Sequence, residues 1–545
     1  MMKRPTARFL TLAVATVLGT ATMAGVGAQA SSTGGAVEAA AVPDVLNVQI
    51  GEFATLNPFL SSGIGRGSVN AAIYMPLVFL GADNTIQPAA ATAWEQSADG
   101  LTYTFTLRDD LTWSDGEPFD SSDVLWSFSK YLNADVSQWA SRIGGVVGQG
   151  EGDVPSGLTA PDPTTFVVTL ASLNPSWLSA LAAQGHIIAM LPEHALSAMT
   201  DEELTETDYW STAPVTLGPY KFGSWEQDQY VELVRNDEWP TPAAFPTVRL
   251  VQLQSEAAAA QLETGELHVS TLIPPLEVPR LDALDTLAVE TTPGVYAEVL
   301  QFNDSTLSDP RIRQAMVYAL DLDGICEEVL AGYCDVMWNQ VRLRSPEWAI
   351  PTDGLIEYEY NPERAIELLE EAGWDGSQRL TLVNAGGQDR IRSTEAIIIQ
   401  ASFEAVGIGV DISTMDVASF LELAGSDDRS TWNMFINRGA NFAADPNQVA
   451  PYNSCSTFYP GGANLGWYCR PELDELWAAG LESPDPEVRA PIYHEAFQLL
   501  NADIDNLQLY WPETIVVHDI NVGGVASLGS GEFLTWNLGS WTWEG

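Results

Sequence analysis

Lysine is almost missing from this chain: only Lys3, Lys130 and Lys221 occur in 545 residues. Lys and Arg together number 23 against 73 Asp and Glu, for a net charge of −50. Phosphate backbones and anionic lipid surfaces need a basic face, so nucleic acid and membrane adhesion are excluded as partners. No Lys follows a Gly, which removes the GxxxxGK phosphate loop. Histidine is also scarce, with five residues (His186, His194, His268, His494, His518) scattered along the chain. His494-Glu495 is followed by Gln498 where a zinc-binding HExxH helix needs its second imidazole, and no GxSxG elbow occurs. The four cysteines contain no CxxC pair and have no neighbouring His, so neither a metal nor a cofactor is expected. With 73 carboxylates, neighbouring acids arise by chance, and a glycosidase-like pair carries no weight. The chain has no positive sign of an enzyme.

What is present points to an exported globular protein. Hydrophobic residues make up 46% and aromatics 10%, enough for large cores and too much for disorder. The length suits about three domains or one multi-lobed unit. Lys3, Arg4 and Arg8 precede an apolar stretch from Phe9 to Gly25 and a small-x-small site at Ala28-Gln29-Ala30. This pattern predicts a signal peptide over residues 1–30 with cleavage before Ser31. No Cys near that point supports a lipid anchor, so the protein is expected to be extracellular, wall-associated or periplasmic. Residues 31–43, rich in Gly, Ala and Ser, read as a flexible tether. Export permits disulfides among Cys326, Cys334, Cys455 and Cys469. Three pairings are open, and nearest neighbours give Cys326–Cys334 and Cys455–Cys469. The acid excess fits either a salty habitat, where salt screens self-repulsion, or a bias in base composition.

Periodicity places the elements. Leu46–Gln49 reads as a strand leading into the turn Thr55-Leu56-Asn57-Pro58. Leu101, Tyr103, Phe105 and Leu107 alternate with threonines as a half-buried strand, and Ser122-Asp123 is expected to cap the helix that follows. Strands are expected from Tyr220, over Tyr230–Val234 and over Glu298–Phe302. Asp309-Pro310 and Asn361-Pro362 begin helices, the second ending at Gly373. Leu380–Val383, a helix over Thr394–Val406 and Gly407–Ile412 make a β-α-β unit, which predicts an α/β lobe with a partly parallel sheet. A helix over Pro486–Ala502 precedes a strand over Leu507–Trp511.

Five stretches, in order, resemble one family. They are Ala93-Trp94-Glu95 through Leu107-Arg108, Trp113-Ser114-Asp115-Gly116 and Ser122-Asp123-Val124; Leu217-Gly218-Pro219-Tyr220 with Trp225 and Arg235-Asn236; Gln301-Phe302-Asn303 with Asp309-Pro310-Arg311-Ile312-Arg313-Gln314-Ala315 and Ala319-Leu320-Asp321; Asn361-Pro362 through Ala365, Leu368-Leu369 and Ala372-Gly373-Trp374; and Gly407-Ile408. Each is a turn or cap taken singly, but together they resemble the family 5 extracellular solute-binding proteins of ABC importers, which include oligopeptide, dipeptide, nickel and oligosaccharide binders. The resemblance implies an α/β, two-lobed periplasmic-binding-protein-like fold of the large type II form, with an extra subdomain on the first lobe. Mapped here, the first lobe takes residues 44–74, 197–294 and 511–545, the extra subdomain 75–194, and the second lobe 295–510. The crossings near Val295 and Tyr510 would form the hinge.

The resemblance also implies a monomeric, non-catalytic carrier that closes on a small solute and docks on a permease. Peptide-binding relatives place an Asp four residues before a Pro to pair with the peptide amine. The matching segment here is Ala440-Asn441-Phe442-Ala443-Ala444-Asp445-Pro446, and that position is Phe442. Either Asp445 substitutes, or the solute brings no amine. The expected ligand-binding residues are therefore Asn57, Tyr74, Phe420, Trp432, Asn441, Phe442, Asp445, Tyr510 and Trp511, while Asn303 is read as a stabiliser of hinge backbone. A peptide is the default solute and an oligosaccharide, suited to the flat faces of the 18 tryptophans, the alternative. Nickel lacks a His or Cys cluster. A secreted hydrolase is the alternative of another class.

Overall fold

A computed structural model describes residues 41–544 except 54, 61–63, 82–84, 184–187, 295, 339–347, 349–350, 386–389, 427, 440–444 and 527–533. The expected signal peptide and the Asn441-Phe442 pair lie outside the described residues. Two large mixed sheets organise the chain. The seven-stranded one runs in the order Leu287–Thr292, Thr514–Asp519, Val269–Ser270, Val45–Ile50, Thr247–Gln252, Tyr230–Arg235, Tyr220–Glu226. The six-stranded one runs Cys334–Asp335, Asn506–Pro512, Glu298–Phe302, Met434–Arg438, Arg379–Asn384, Gly409–Thr414. A third, antiparallel sheet of four strands (Ala91–Gln96, Thr102–Leu107, Thr165–Thr169, Leu158–Asp162) gives the half-buried alternation its place: Tyr103, Phe105 and Leu107 are buried and pack on Phe166 and Val168.

Local chemistry sets the helix ends. Asp309 and Asn361 cap the helices Pro310–Tyr318 and Pro362–Ala372, and Gly373, at φ 74°, closes the second. The cap expected at Ser122-Asp123 is instead Asp120. Its carboxylate accepts from Ser122 N, and Asp123 reaches back to Asp120 N, a reciprocal capping box one turn earlier. The helix expected from Thr394 begins at Arg390 and ends at Ala405. The β-α-β unit is present: Arg379–Asn384 and Gly409–Thr414 pair in parallel across that helix. Both nearest-neighbour disulfides form, closing separations of 8 and 14 residues. A closed loop of about 15 residues contributes roughly 3 kcal/mol in the chain-entropy account.

The chain passes between the two large sheets at two places, from Thr292 to Glu298 and back from Pro512 to Thr514. These crossings lie backbone against backbone. A Cβ at Gly294 would overlap the Pro512 carbonyl oxygen, so only glycine lets them approach. Gly294→Ala is expected to force the crossings apart and to lower stability by about 1–3 kcal/mol, read from urea unfolding. An unchanged midpoint would show that the approach is not constrained.

His268 makes one stability term pH-dependent. Its Nδ1 accepts from Asn47 N at 3.0 Å, which requires that nitrogen to be unprotonated. Burial pushes the imidazole pKa down, with the Asp519 carboxylate opposing. A folded pKa below the unfolded value of about 6.5 means that the unfolded chain takes up protons first. The contribution is present above pH 6.5 or so and is lost as pH falls through the folded value. The stability gap between the native chain and His268→Gln, about 1 kcal/mol near pH 7.5, is expected to narrow on acidification to pH 5. Parallel curves would remove the histidine from this role.

Candidate functional site

The strand Glu298–Phe302 is buried on both faces and flanked by the antiparallel strands Asn506–Pro512 and Met434–Arg438. On one face Gln301 stands opposite Asn506, and Val299 opposite Gln508. The register then shifts, and Glu298 pairs with Tyr510, leaving Leu509 as the extra residue of a β-bulge. An inserted residue reverses the alternation of faces beyond it. Asn506 and Gln508 therefore share a face with Trp511 rather than with Tyr510. The Trp511 Nε1 donates to Gln508 Oε1 at 2.8 Å, a contact between i and i+3 that an unbroken strand would not allow.

This face lines a cavity of about 170 Å3 walled by Ala297, Val299, Gln301, Asn437, Arg438, Gly439, Tyr452, Asn506, Gln508 and Trp511. It lies beside both crossings between the large sheets. Four of the lining side chains are primary amides, each both donor and acceptor. Gln301 Nε2 donates to the carbonyls of Phe302 and Asp505. Asn506 Oδ1 is buried with no hydrogen-bond partner. A buried acceptor left unpaired costs about 1–3 kcal/mol, which an incoming N–H or O–H would relieve.

Among the described residues, Trp511 is the one expected site residue that lines this cavity. Its neighbour Tyr510 points to the opposite face, where its hydroxyl donates to Glu395 beneath the helix Arg390–Ala405. Phe420 and Trp432 are fully buried: Phe420 stacks on Phe435 with centroids 3.7 Å apart and meets Trp432 edge-on. They form a separate apolar cluster with Trp467. Asn57 serves its own turn, accepting from Phe59 N and donating to the Leu204 and Thr205 carbonyls. Tyr74 is buried in the first-lobe core, its hydroxyl has no hydrogen-bond partner, and burial holds its pKa well above that of free tyrosine. Asn303 donates to the Arg429 and Trp432 carbonyls, tying down the loop before the strand Met434–Arg438.

Asp445 is placed away from the cavity lining. Its carboxylate takes Arg489 Nη2 at 2.9 Å, Ser176 Oγ at 2.8 Å and Asn447 N at 2.9 Å. Arg489 lies over the Trp348 ring at 4.9 Å and also donates to Tyr493. Asp445 and Arg489 are each 2% exposed as side chains. Ser176 belongs to the segment following the four-stranded sheet, so this group ties that segment to Asp445 and to the helix Pro486–Asp503. Removing one partner of a buried pair strands the other charge. Arg489→Ala is expected to lower stability by about 3–5 kcal/mol in urea titrations. A loss below about 1 kcal/mol would show that water reaches the pair.

The polar and aromatic lining residues that sequence reasoning did not propose for the site are Gln301, Asn437, Arg438, Tyr452, Asn506 and Gln508. Period-two alternation from Gln301 gives Val299 and Ala297; nothing in the sequence marks the bulge at Leu509. Among the described residues no group of His, Cys, Asp and Glu could hold a metal ion, and no helix is long and apolar enough to cross a membrane.

Two α/β lobes joined by paired crossings, with a cavity beside them, define a two-lobed binding protein. The model of the bacterial extracellular solute-binding proteins, family 5 (middle region), matches residues 85–460, and the chain belongs to that family. It is 27% identical over 426 residues, 76% of each chain, to a protein of Brucella ovis named as an ABC transporter peptide-binding protein. It is 23% identical over 548 residues, 96% of each chain, to the oligopeptide-binding protein AppA of Bacillus subtilis. Among solved structures, CtaP of Listeria monocytogenes superposes with a TM-score of 0.80 at 23% identity, covering 92% of this chain and 99% of that one. AppA of Bacillus subtilis in complex with a nonapeptide gives 0.73 at 21%, covering 92% and 98%.

Proposed function

We propose that this chain is the exported, monomeric solute-binding component of an ABC importer, and that it carries short peptides to a membrane permease without altering them. Residues 1–30 act as the signal peptide. The lobes divide as 44–74, 197–294 and 511–545 against 295–510, with 75–194 as the added subdomain and the crossings at Gly294 and Pro512 as the hinge. The observation that carries the reading is the amide-lined cavity with Trp511 in its wall, beside those crossings. A peptide backbone offers alternating N–H and C=O groups, which side-chain amides match in both senses. The names of the Brucella and Bacillus relatives support the same class.

A cavity of about 150 Å3 takes one benzene-sized group, so a space of this size holds one end of an oligomer rather than the whole. The rest of the solute would lie between the lobes. Solute touching both lobes only in the closed form supplies the free energy of closure, and release at the permease reopens the hinge.

The test is thermal unfolding of the chain from residue 31 onward with a mixed tetrapeptide pool, neutral oligosaccharides and uronic-acid oligosaccharides. A peptide at about 100 times its Kd is expected to stabilise by about 2.7 kcal/mol. Trp511→Ala is expected to weaken peptide binding by about tenfold or more while mass spectrometry recovers the peptide intact. Stabilisation by neutral sugars alone would replace the peptide reading with the oligosaccharide one. Cleavage of the recovered solute would make the protein a hydrolase.

A further inference from the structure

We propose that Ser176 and the buried Asp445–Arg489 pair form a latch that holds the lobes shut on the solute, the Ser176 hydroxyl seating between the two charges on closure and leaving on opening. This rests on the proposed reading of residues 75–194 and 295–510 as parts of opposite lobes of a solute carrier. The Ser176 Oγ donates to Asp445 Oδ1 at 2.8 Å and accepts from Arg489 Nη2 at 3.3 Å. It is donor and acceptor at once, which a hydroxyl can be and an apolar side chain cannot. The contact joins two apolar clusters that share no residue. Trp177, next to Ser176, belongs to the cluster of Tyr103 and Phe166, whereas Tyr493, one turn after Arg489, belongs to that of Trp348 and Val449. A second close approach lies on the same two sides: a Cβ on Gly100 would come within 3.5 Å of Pro484 Cβ.

The other hydrogen bonds of the pair come from residues 295–510. Arg489 Nε donates to the Gly480 carbonyl at 2.7 Å and Nη2 to the Tyr493 hydroxyl at 2.6 Å, while Asp445 accepts from Asn447 N at 2.9 Å. Withdrawing Ser176 therefore leaves the pair in place and opens it to water. With Ser176 seated, Asp445 and Arg489 are each 2% exposed. Closure thus desolvates two charges, which is costly, and the charge-assisted bonds to the hydroxyl offset that cost. Because the two terms oppose one another, the empty protein is not locked, and contact with solute tips the balance. The latch also reaches the solute site through the chain. Asp445 caps the 3-10 helix Pro446–Tyr452, which holds Pro446 and Pro451 and is pinned by buried Val449. Tyr452, at its far end, lines the cavity. Proline fixes its own φ, so this short element is stiff. Solute bearing on Tyr452 then sets where Asp445 meets Ser176.

The four native cysteines are spent in disulfides, so cysteines introduced at the exposed Val154 and Ile366 can carry spin labels. The experiment measures the distance between these labels and the Kd of a mixed tetrapeptide pool in the otherwise native chain and in Ser176→Ala, Ser176→Val and Ser176→Thr. In the native background the pool is expected to move the distribution toward the closed distance. Ser176→Ala and Ser176→Val should shift the solute-free population away from that distance and weaken binding about tenfold, through faster release. Ser176→Thr has the shape of the valine variant with the hydroxyl restored, and should recover the native distribution and Kd. Equal distances and Kd across the four would overturn the latch while leaving the carrier standing. A lowered urea midpoint with native distances and Kd would make the contact structural and overturn the latch likewise. A solute-free shift in Ser176→Val that Ser176→Thr reverses, with no response to peptides, would support the latch and remove the peptide reading. One unchanging distance in every state would remove both latch and closure.

Discussion

The pairing of two chain crossings holds the structure together. The strand Glu298–Phe302, entering the second lobe, hydrogen-bonds along Asn506–Pro512, which leaves it, so both connections between the lobes emerge side by side. Gly294 lets them touch, and a side chain there would have to displace the Pro512 carbonyl. Paired connections suit a hinge, in which a few element-terminal residues absorb the change. The cavity lies against the same two strands.

The bulge at Leu509 is the second constraint. It aims Trp511 into the cavity and sends Tyr510 to the far face, where buried Glu298 and Glu395 and half-buried Arg392 lie. Polar groups therefore occupy both faces of one strand, apportioned by a single extra residue. Behind the sheet Glu298 pairs with Arg392 and Glu395 accepts from Tyr510, and the wall in front presents amides and Arg438.

A third feature ties the segment after the four-stranded sheet to the helix Pro486–Asp503. Ser176, from the segment after the four-stranded sheet, reaches the buried Asp445–Arg489 pair. Burying two charges costs several kcal/mol per ion, recovered when geometry and further hydrogen bonds are good. Here Trp348 and Tyr493 flank the guanidinium, and Asn447 N and Ser176 fill the carboxylate.

Much of this was legible in the residues. Asp309-Pro310 and Asn361-Pro362 announce helices because a carboxylate or amide before a proline satisfies orphan N–H groups locally. The alternation at Tyr103, Phe105 and Leu107 places a strand, and the cysteine spacing offers the disulfides that form. All of these depend on neighbours within a few residues. Among the described residues, the cavity lining was legible only at Trp511. Tyr510, Phe420 and Trp432 have the same aromatic chemistry, and which of them meets the cavity depends on a register shift between strands some 200 residues apart. Asp445 looked available as an anion because its partners, Arg489 and Ser176, are distant in sequence. The sequence by itself determined most of the elements and the family, because these are local or cumulative patterns. The tertiary structure alone decided which side chains face the cavity and which charges are already paired, because sheet register and buried ion pairs are set by contacts between distant parts of the chain.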